Sequence, residues 1–201
     1  MPLPDPHTLL DFWFGDSRTQ AAAIPERMSF WFQPSSSDDA AVAERFADAL
    51  ALASGGHLTR WLANSDSRLA LILTLDQAPR VIHRRRAEAF AHDGQALATA
   101  LAGIKAGVDE QLGLAERAFF YMPLQHAEDP LVQRLSVARY QALVEAFPDH
   151  ADIARSFLGH AREHAEIIER FGRYPHRNEV LERESTNEER AFLESGPRYG
   201  Q

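Results

Sequence analysis

Hydrophobic and polar positions along most of the chain recur with the period of an α-helix. Between residues 38 and 52, apolar residues return every three or four positions and most charged residues fall between them, which is typical of an amphipathic helix. Residues 67–77 are apolar nearly all round. Because leucine and alanine dominate there over β-branched residues, the pattern favours a buried helix over a strand. We predict that Pro79 ends or kinks this helix.

The same period predicts further helices at about residues 87–106, 114–122, 130–146 and 150–171. A last short helix through about Leu193 is indicated by two overlapping capping boxes, which begin at Ser185 and Thr186. No segment alternates with period two for long enough to predict a strand. We therefore predict an all-α protein of about eight or nine helices. We also predict a single domain over residues 1–201, because no low-complexity linker divides the chain.

The composition of the chain excludes several kinds of chemistry and of binding partner. Of the 201 residues, 45% are hydrophobic and 25% are charged, which is ordinary for a globular protein. The chain has no cysteine, so disulfides, thiolate metal ligands and cysteine nucleophiles are excluded. A formal net charge of −8 opposes non-specific binding to nucleic acid or anionic lipid. Because the chain also lacks an apolar run as long as a membrane span and a recognisable signal peptide, we expect a cytoplasmic protein without nucleic-acid or membrane partners.

The last long predicted helix carries two histidines on its apolar face. At 100° per residue, His160 and His164 fall on the same face as Phe157 and its apolar neighbours. We therefore expect both histidines to point inward, and Arg162 and Glu166 to face solvent. Two explanations stay open: these are core histidines whose nitrogens are satisfied by hydrogen bonds, or they are functional groups at a site.

Residues 160–164, HAREH, also match the H-x-x-E-H pattern, in which two histidines one helical turn apart hold zinc and the glutamate acts as a base. A match of five residues arises by chance in helices rich in histidine and glutamate. Only glutamates scattered through the short remaining chain are available as a third ligand. We predict no metal site.

A polar cluster interrupts the most hydrophobic helix. Asp76 lies on the same side of this helix as the leucines around it, so its carboxylate needs a partner. Arg80, four residues further on, is the nearest candidate. The two residues either belong to a site together with Gln77, or form a structural pair that fixes the turn at Pro79.

A second polar cluster follows the aromatic helix predicted at residues 114–122. It consists of Tyr121, His126 and Glu128. A histidine and a carboxylate two residues apart can transfer protons, but the same pair also occurs among ordinary surface residues.

A third polar cluster is the segment GRYPHRN at residues 172–178. Gly172 allows the chain to leave the preceding helix through a left-handed conformation, and Pro175 stiffens the turn that follows. The side chains of this segment therefore lose little entropy on binding a ligand. Guanidinium groups suit carboxylates and phosphates, so we interpret the segment as the wall of a site, formed by Arg173, His176, Arg177 and Asn178.

Several blocks of the sequence together resemble one bacterial family. They are DFWFG from residue 11, LDQAPR from 75, AFAHD from 89, ERAFFYMP from 116 with HAE from 126, and RFGRYPHRN from 170 with Ser185-Thr186. With these blocks the chain resembles domain-of-unknown-function family 924 over roughly residues 9–196. The resemblance implies an all-helical superhelix similar to tetratricopeptide-like folds, and it implies no activity. The chain departs from the family pattern at Ala78, where an aromatic residue is usual, and at His160.

From these residues we predict a pocket that binds a small carboxylate or phosphate. The predicted proton-transfer residues are His126, Glu128, His164 and His176, and the predicted ligand-binding residues are Asp76, Gln77, Arg80, Tyr121, Arg173, Arg177 and Asn178. Since the chain has neither a glycine-rich phosphate loop nor a G-x-S-x-G motif, we predict hydrolysis or acid/base chemistry with no cofactor, or a sensor. The alternative is a tetratricopeptide-like interaction module for a protein partner, in which the polar residues form a structural network. The sequence indicates no oligomeric state.

Overall fold

The computed structural model describes residues 3–200, and every regular element among them is helical. The α-helices, numbered in chain order, are α1 (Pro6–Phe14), α2 (Ile24–Phe32), α3 (Ser36–Ser54), α4 (Ser65–Ile72), α5 (Ala78–Ile82), α6 (Asp93–Ala106), α7 (Leu114–His126), α8 (Pro130–Ala146), α9 (Ala151–Phe171) and α10 (Asn187–Leu193). Short 3-10 turns connect several of them, and no strand occurs between residues 3 and 200. The prediction of an all-α fold is confirmed.

The most hydrophobic helix does not end at Pro79. Instead, α4 passes through a π-helical turn, Leu73–Gln77, directly into α5. Pro79 is tolerated because the π-helical turn directly before it already interrupts the regular α-helical hydrogen bonding. The result is one continuous rod with an irregular turn in its middle.

The helix predicted at residues 87–106 is divided in two. A 3-10 turn, Ala87–Phe90, is followed by α6, which begins at Asp93. The Asp93-Gly94 pair accounts for the break, because this dipeptide favours a turn over a helix interior. The break places the Asp93 carboxylate at the N-terminus of a helix, where negative charge is stabilised.

Two helix starts are fixed by reciprocal hydrogen bonds. At α3, the Ser35 hydroxyl accepts from the backbone N–H of Asp38, and the Asp38 carboxylate accepts from the backbone N–H of Ser35. At α10, Thr186 and Glu189 form the same arrangement. This second capping box is one of the two that the sequence predicts.

The main core lies where α1, α3, α4, α7 and α9 meet. The rings of Trp13, Phe14 and Trp31 surround the ring of Phe119, with centroid distances of 5.7, 5.5 and 4.8 Å, in edge-to-face arrangements. α6 approaches α7 closely at Gly103, where an added Cβ would lie 2.5 Å from the Phe120 ring. α7 is thus held firmly on several sides, which fixes the position of its last turn.

A smaller apolar cluster attaches the segment that follows α9. Ile167 and Ile168 of α9 pack with the fully buried Tyr174, and Phe171 and Phe192 cover them. The Tyr174 hydroxyl donates to the backbone carbonyl of Gln125 in α7 and accepts from the side-chain amide of Gln133 in α8. Tyr174 therefore holds residues 172–178 against the end of α7.

None of the helices within residues 3–200 is both long and apolar enough to cross a membrane. The superhelical arrangement and the single domain expected from the sequence stay predictions.

Candidate functional site

A cavity of about 670 Å³ opens between α2, α5, α7, α9 and the segment after α9. This volume lies within the range of roughly 300–1,000 Å³ that small-molecule sites occupy. The expectation that Arg80, His164 and Arg177 approach one cavity is confirmed, although they come from different helices and turns. Six of the predicted site residues line it: Gln77, Arg80, His126, His164, His176 and Arg177.

The π-helical turn carries the carboxylate of Asp76, which is fully buried. Gln77 Nε2 donates to Asp76 Oδ2 at 2.5 Å. Arg80 Nη1 donates to the backbone carbonyl of Asp76 at 2.6 Å and lies 3.4 Å from its Oδ1. π-helical turns occur frequently at functional sites, and this one lies directly behind the polar wall of the cavity.

His126, at the end of α7, pairs with Asp76. Its Nδ1 lies 2.7 Å from Asp76 Oδ1, and since a carboxylate only accepts, Nδ1 donates. The Nε2 of neutral His126 is then free to accept a proton. Burial would raise the pKa of Asp76, but the charge of Arg80 and the bond from His126 hold this pKa well below its ordinary value. The pair has the arrangement of a general base oriented by a carboxylate.

Asp93 joins two arginines of the cavity. It accepts hydrogen bonds of 2.8 and 2.9 Å from Arg80 and one of 3.1 Å from Nη1 of Arg177. Asp93 is absent from the predicted site set, although it ends one of the sequence blocks. The signal that indicates it is the Asp93-Gly94 pair inside a predicted helix, because such a pair marks a helix start and an exposed carboxylate.

Arg177 is the most buried cation of the cavity, with 6% of its surface exposed. Its guanidinium carbon lies 4.5 Å from the centroid of Phe90 and 4.6 Å from that of Tyr174. Its Nε finds no hydrogen-bond partner within the described part of the chain. Burial, and then the charge of Arg80, lowers the pKa of Arg177. Two guanidinium groups thus share the carboxylate of Asp93 in a poorly solvated place.

His164 is buried, whereas Arg162 and Glu166 beside it are exposed, so this prediction is confirmed. Its Nδ1 donates to the carbonyl of His160 at 2.8 Å, which leaves Nε2 as an acceptor. Burial, followed by the charge that His126 carries when protonated, lowers the pKa of His164 to about 3. His164 is therefore neutral at pH 7.

His176 lies close to His164 on the cavity wall. Burial, followed by the charge of Arg177, lowers the pKa of His176 to about 3. The ring of Tyr199 lies between the two histidines, with centroid distances of 4.4 Å to His164 and 5.2 Å to His176. This end of the cavity therefore presents neutral imidazoles beside positively charged guanidinium groups.

Arg84 also lines the cavity, although it is not among the predicted site residues. It donates to both carboxylate oxygens of Asp39 at 2.9 Å, and to the carbonyl of Gly200 at 2.9 Å. The bond to Gly200 attaches the end of the described chain to the side of the cavity. Arg84 has its charge balanced by Asp39, in contrast to Arg177.

His160 is exposed at the rim of the cavity, and the prediction that it points inward is wrong. The buried stripe of α9 passes instead through Phe157, Ala161 and His164, at steps of three and four residues. His160 lies beside this stripe, 3.7 Å from Glu163. Within residues 3–200, no three His, Asp or Glu side chains are grouped as metal ligands are.

Two other predicted site residues do not line the cavity and have structural partners. The hydroxyl of Tyr121 donates to Asp109 at 2.5 Å in the core. Glu128 accepts from both terminal nitrogens of Arg183, at 2.6 and 3.0 Å, and from the backbone N–H of Tyr174 at 2.8 Å. The partners of Glu128 hold the segment after α9 in place, so the structure does not bring Glu128 to the cavity.

Arg173 and Asn178 are also occupied elsewhere. Arg173 forms hydrogen bonds of 2.6 and 2.8 Å to the carboxylate of Glu189 at the start of α10. Asn178 donates to Ser185 and accepts from Arg183. Of the two arginines in GRYPHRN, Arg177 lines the cavity, whereas Arg173 fastens α10.

The remaining cavity lining is largely apolar. It includes Met28, Trp31 and Phe32 of α2, Met122 of α7 and Phe157 of α9. Phe32 is 43% exposed. The cavity therefore has a polar wall of arginines and histidines and an apolar wall of aromatic and methionine side chains.

Comparison with known proteins agrees with the sequence blocks. A solved protein of unknown function from Agrobacterium tumefaciens, ATU0120, is 37% identical to this chain, with a TM-score of 0.74. The match covers 95% of this chain and 97% of that one. Comparison with curated proteins gave no match. A family model matches residues 9–197, and the chain belongs to the family it describes, bacterial protein of unknown function (DUF924).

Proposed function

We propose that the cavity binds a small molecule that carries a carboxylate or phosphate, and that His126 transfers a proton during chemistry on this molecule. The observation that carries the proposal is the guanidinium of Arg177, which is buried with its Nε unpaired and with a counter-charge already bound to Arg80. A buried cation with incomplete partners is costly. A bound anion would offset this charge and would accept charge-assisted hydrogen bonds from the guanidinium N–H groups that face the cavity.

The titration of the neighbouring groups supports an anionic ligand. Burial is the largest cause that lowers the pKa of His176, and the charge of Arg177 is the second. For His126, burial is again the largest cause, and the charge of Arg80 is the second cause that lowers the pKa. At His126 the carboxylates of Asp76 and Asp93 oppose the effect of Arg80 on the pKa. At His176 the neighbouring arginines and histidines all lower the pKa, so the electrostatic potential there is positive. The same potential attracts a carboxylate or a phosphate.

His126 is the best placed base among the cavity residues. Its Nδ1 hydrogen is held by the charged Asp76, so Nε2 can accept a proton from a ligand group or from a water molecule. A water activated in this way would hydrolyse an ester, amide or phosphoester, and a carbon acid would lose a proton directly. The neutral His164 and His176 would serve as hydrogen-bond partners or as the second proton-transfer group.

The interaction module stays the alternative, and one observation favours it. The pairs of Glu128 with Arg183 and of Arg173 with Glu189 are structural, as that alternative requires. Both pairs lie outside the cavity lining and give no account of the unpaired Nε of Arg177. Binding of a small anion is therefore the function that the geometry supports best.

Isothermal titration of the protein with sodium phosphate and with sodium acetate, in a neutral buffer of low ionic strength, tests the proposal. We expect saturable binding of at least one anion, a higher melting temperature in its presence, and weaker binding as chloride is added. If no carboxylate or phosphate, short or long, binds or raises the melting temperature, the proposed function is wrong.

A further inference from the structure

We infer that the ligand of this cavity is amphipathic: its anionic group lies at Arg177, and an alkyl or aromatic body extends for about 10 Å along α9 toward Phe157 and Phe32. This inference rests on the proposed function and names the class of molecule that the same site takes.

The size of the cavity requires more than an anionic group. Its volume is about 670 Å³, whereas one water molecule occupies about 30 Å³ of liquid. Phosphate or acetate at Arg177 would leave most of this space to water against an apolar wall. Filling it with an apolar body would remove that surface from water, which is favourable.

The polarity of the lining changes in the same direction along two helices. On α9, Phe157 precedes His164 by two turns, about 10 Å, and both are buried residues that line the cavity. His160 and Glu163 between them line only its partly exposed rim. On α7, Met122 precedes His126 by about one turn, or 6 Å, and both line it as well. The rings of His126 and His164 lie 6.2 Å apart, so the polar positions of the two helices are at the same level. The apolar positions thus lie together at the other end.

α2 supplies the far wall of the apolar end. Trp31 packs on Phe119 of the core, and Phe32 beside it is 43% exposed while it lines the cavity. Across from it, the ring of His160 lies 6.3 Å from the Phe32 ring. A ligand body between α2 and α9 would cover the exposed face of Phe32.

A chain-length series tests the inference on the whole protein. Acetate, butanoate, hexanoate and octanoate are titrated by calorimetry, together with octyl phosphate and octanol. We expect affinity to rise about threefold to fourfold for each added methylene until the cavity is filled, and octanol to bind more weakly than octanoate because it lacks the charge. Comparison of octanoate with octyl phosphate identifies the preferred anionic group.

Two variants locate the apolar end. Phe32→Ala should weaken octanoate binding several-fold and leave acetate binding unchanged, and since Phe32 is partly exposed, the variant should fold. Leu131→Ala is the matched control, because Leu131 is 67% exposed and does not line the cavity. Equal affinities for acetate and octanoate, both dependent on Arg177, would overturn the inference and leave the proposed function standing. If no acid or phosphate of any length binds, both are wrong.

Discussion

Nη1 of Arg177 lies 3.1 Å from Oδ2 of Asp93, a carboxylate that already accepts two hydrogen bonds from Arg80. The shared carboxylate orients both guanidinium groups on the cavity wall, yet it brings only one negative charge to two positive ones. Asp76 lies beside Arg80 as a second carboxylate, and the neutral His126 adds no charge. Of the two arginines, Arg177 has the buried Nε that lacks a partner among the described residues, so it is the cation whose environment an anionic ligand improves most.

Neutralising Asp93 should strengthen anion binding. In Asp93→Asn the arginines keep a hydrogen-bond acceptor but lose their counter-charge, so we expect phosphate or acetate to bind several-fold more tightly while the melting temperature falls. The measurements are calorimetric titration and thermal unfolding. Asp152→Asn is the control, since Asp152 is exposed and pairs with Arg155 at the surface. Weaker anion binding by folded Asp93→Asn would contradict this account.

Glu128 should prove structural. In Glu128→Gln the charged hydrogen bonds from Arg183 are lost or weakened, so we expect the free energy of unfolding to fall by about 1–3 kcal/mol. The anion affinity of the folded variant should stay unchanged, because Glu128 does not line the cavity. Glu169→Gln, at an exposed position of α9, controls for the loss of a surface charge. If folded Glu128→Gln has normal stability but binds anions more weakly, Glu128 takes part in anion binding and its role is not structural.

The pairing of His126 with Asp76 can be observed directly. Nitrogen-15 NMR of the histidine rings should show His126 at pH 7 as the neutral tautomer with hydrogen on Nδ1. In Asp76→Asn we expect the pKa of His126 to fall further, because the Asp76 carboxylate raises it in the native protein. A His126 that carries its hydrogen on Nε2 in the native protein would rule it out as the base of the proposed chemistry.

The helices are visible in the sequence because apolar residues mark the buried side of each one. The stripe through Phe157 and His164 predicts the face of α9 correctly at those two positions. It fails at His160, which lies at the edge of the stripe, where the neighbouring α2 leaves the surface open. Periodicity predicts which side of a helix a residue faces. Whether a residue at the edge of the apolar stripe is buried depends on the element that packs against it.

The convergence of Arg80, His164 and Arg177 could be predicted because buried polar groups at helix ends need a common partner. The pairing among the remaining polar residues could not. Arg173 and Arg177 stand four positions apart in one short segment, yet the first meets Glu189 and the second meets Asp93. Which carboxylate each one meets depends on how α6 and α10 dock, and local sequence does not encode that.

Acid should destabilise the protein in two overlapping pH ranges. The pKa of His164 is about 3 in the folded state against 6.5 ordinarily, so the unfolded chain binds more protons between these values and stability falls as pH drops from 6.5 toward 3. The pKa of Glu189, lowered mainly by its hydrogen bond from Arg173, is about 2 against 4.5. The stability that Glu189 contributes is present above pH 4.5 and is lost as pH falls toward 2.

Unfolding in urea at a series of pH values tests this expectation. His164→Gln should reduce the pH dependence between 6.5 and 3, and the buried His176 should keep part of it. Between a pH well above 6.5 and one unit below it, the variant should lose about 1.4 kcal/mol less stability than the native protein. Glu189→Gln should change the pH dependence only below about 4.5. If His164→Gln keeps the native pH dependence, His164 is not a buried neutral histidine.

The most direct test of the anion site compares the two arginines of GRYPHRN in one experiment. Arg177→Gln and Arg173→Gln are purified, their melting temperatures are measured, and each is titrated with phosphate, acetate and octanoate alongside the native protein. We predict that Arg177→Gln weakens anion binding by about ten- to a hundredfold, the effect of losing one charge-assisted hydrogen-bonding group. Arg173→Gln should retain native affinity and only loosen the attachment of α10. Equal affinities in all three proteins, or a large loss of stability in Arg177→Gln without anion binding by the native protein, would contradict the account.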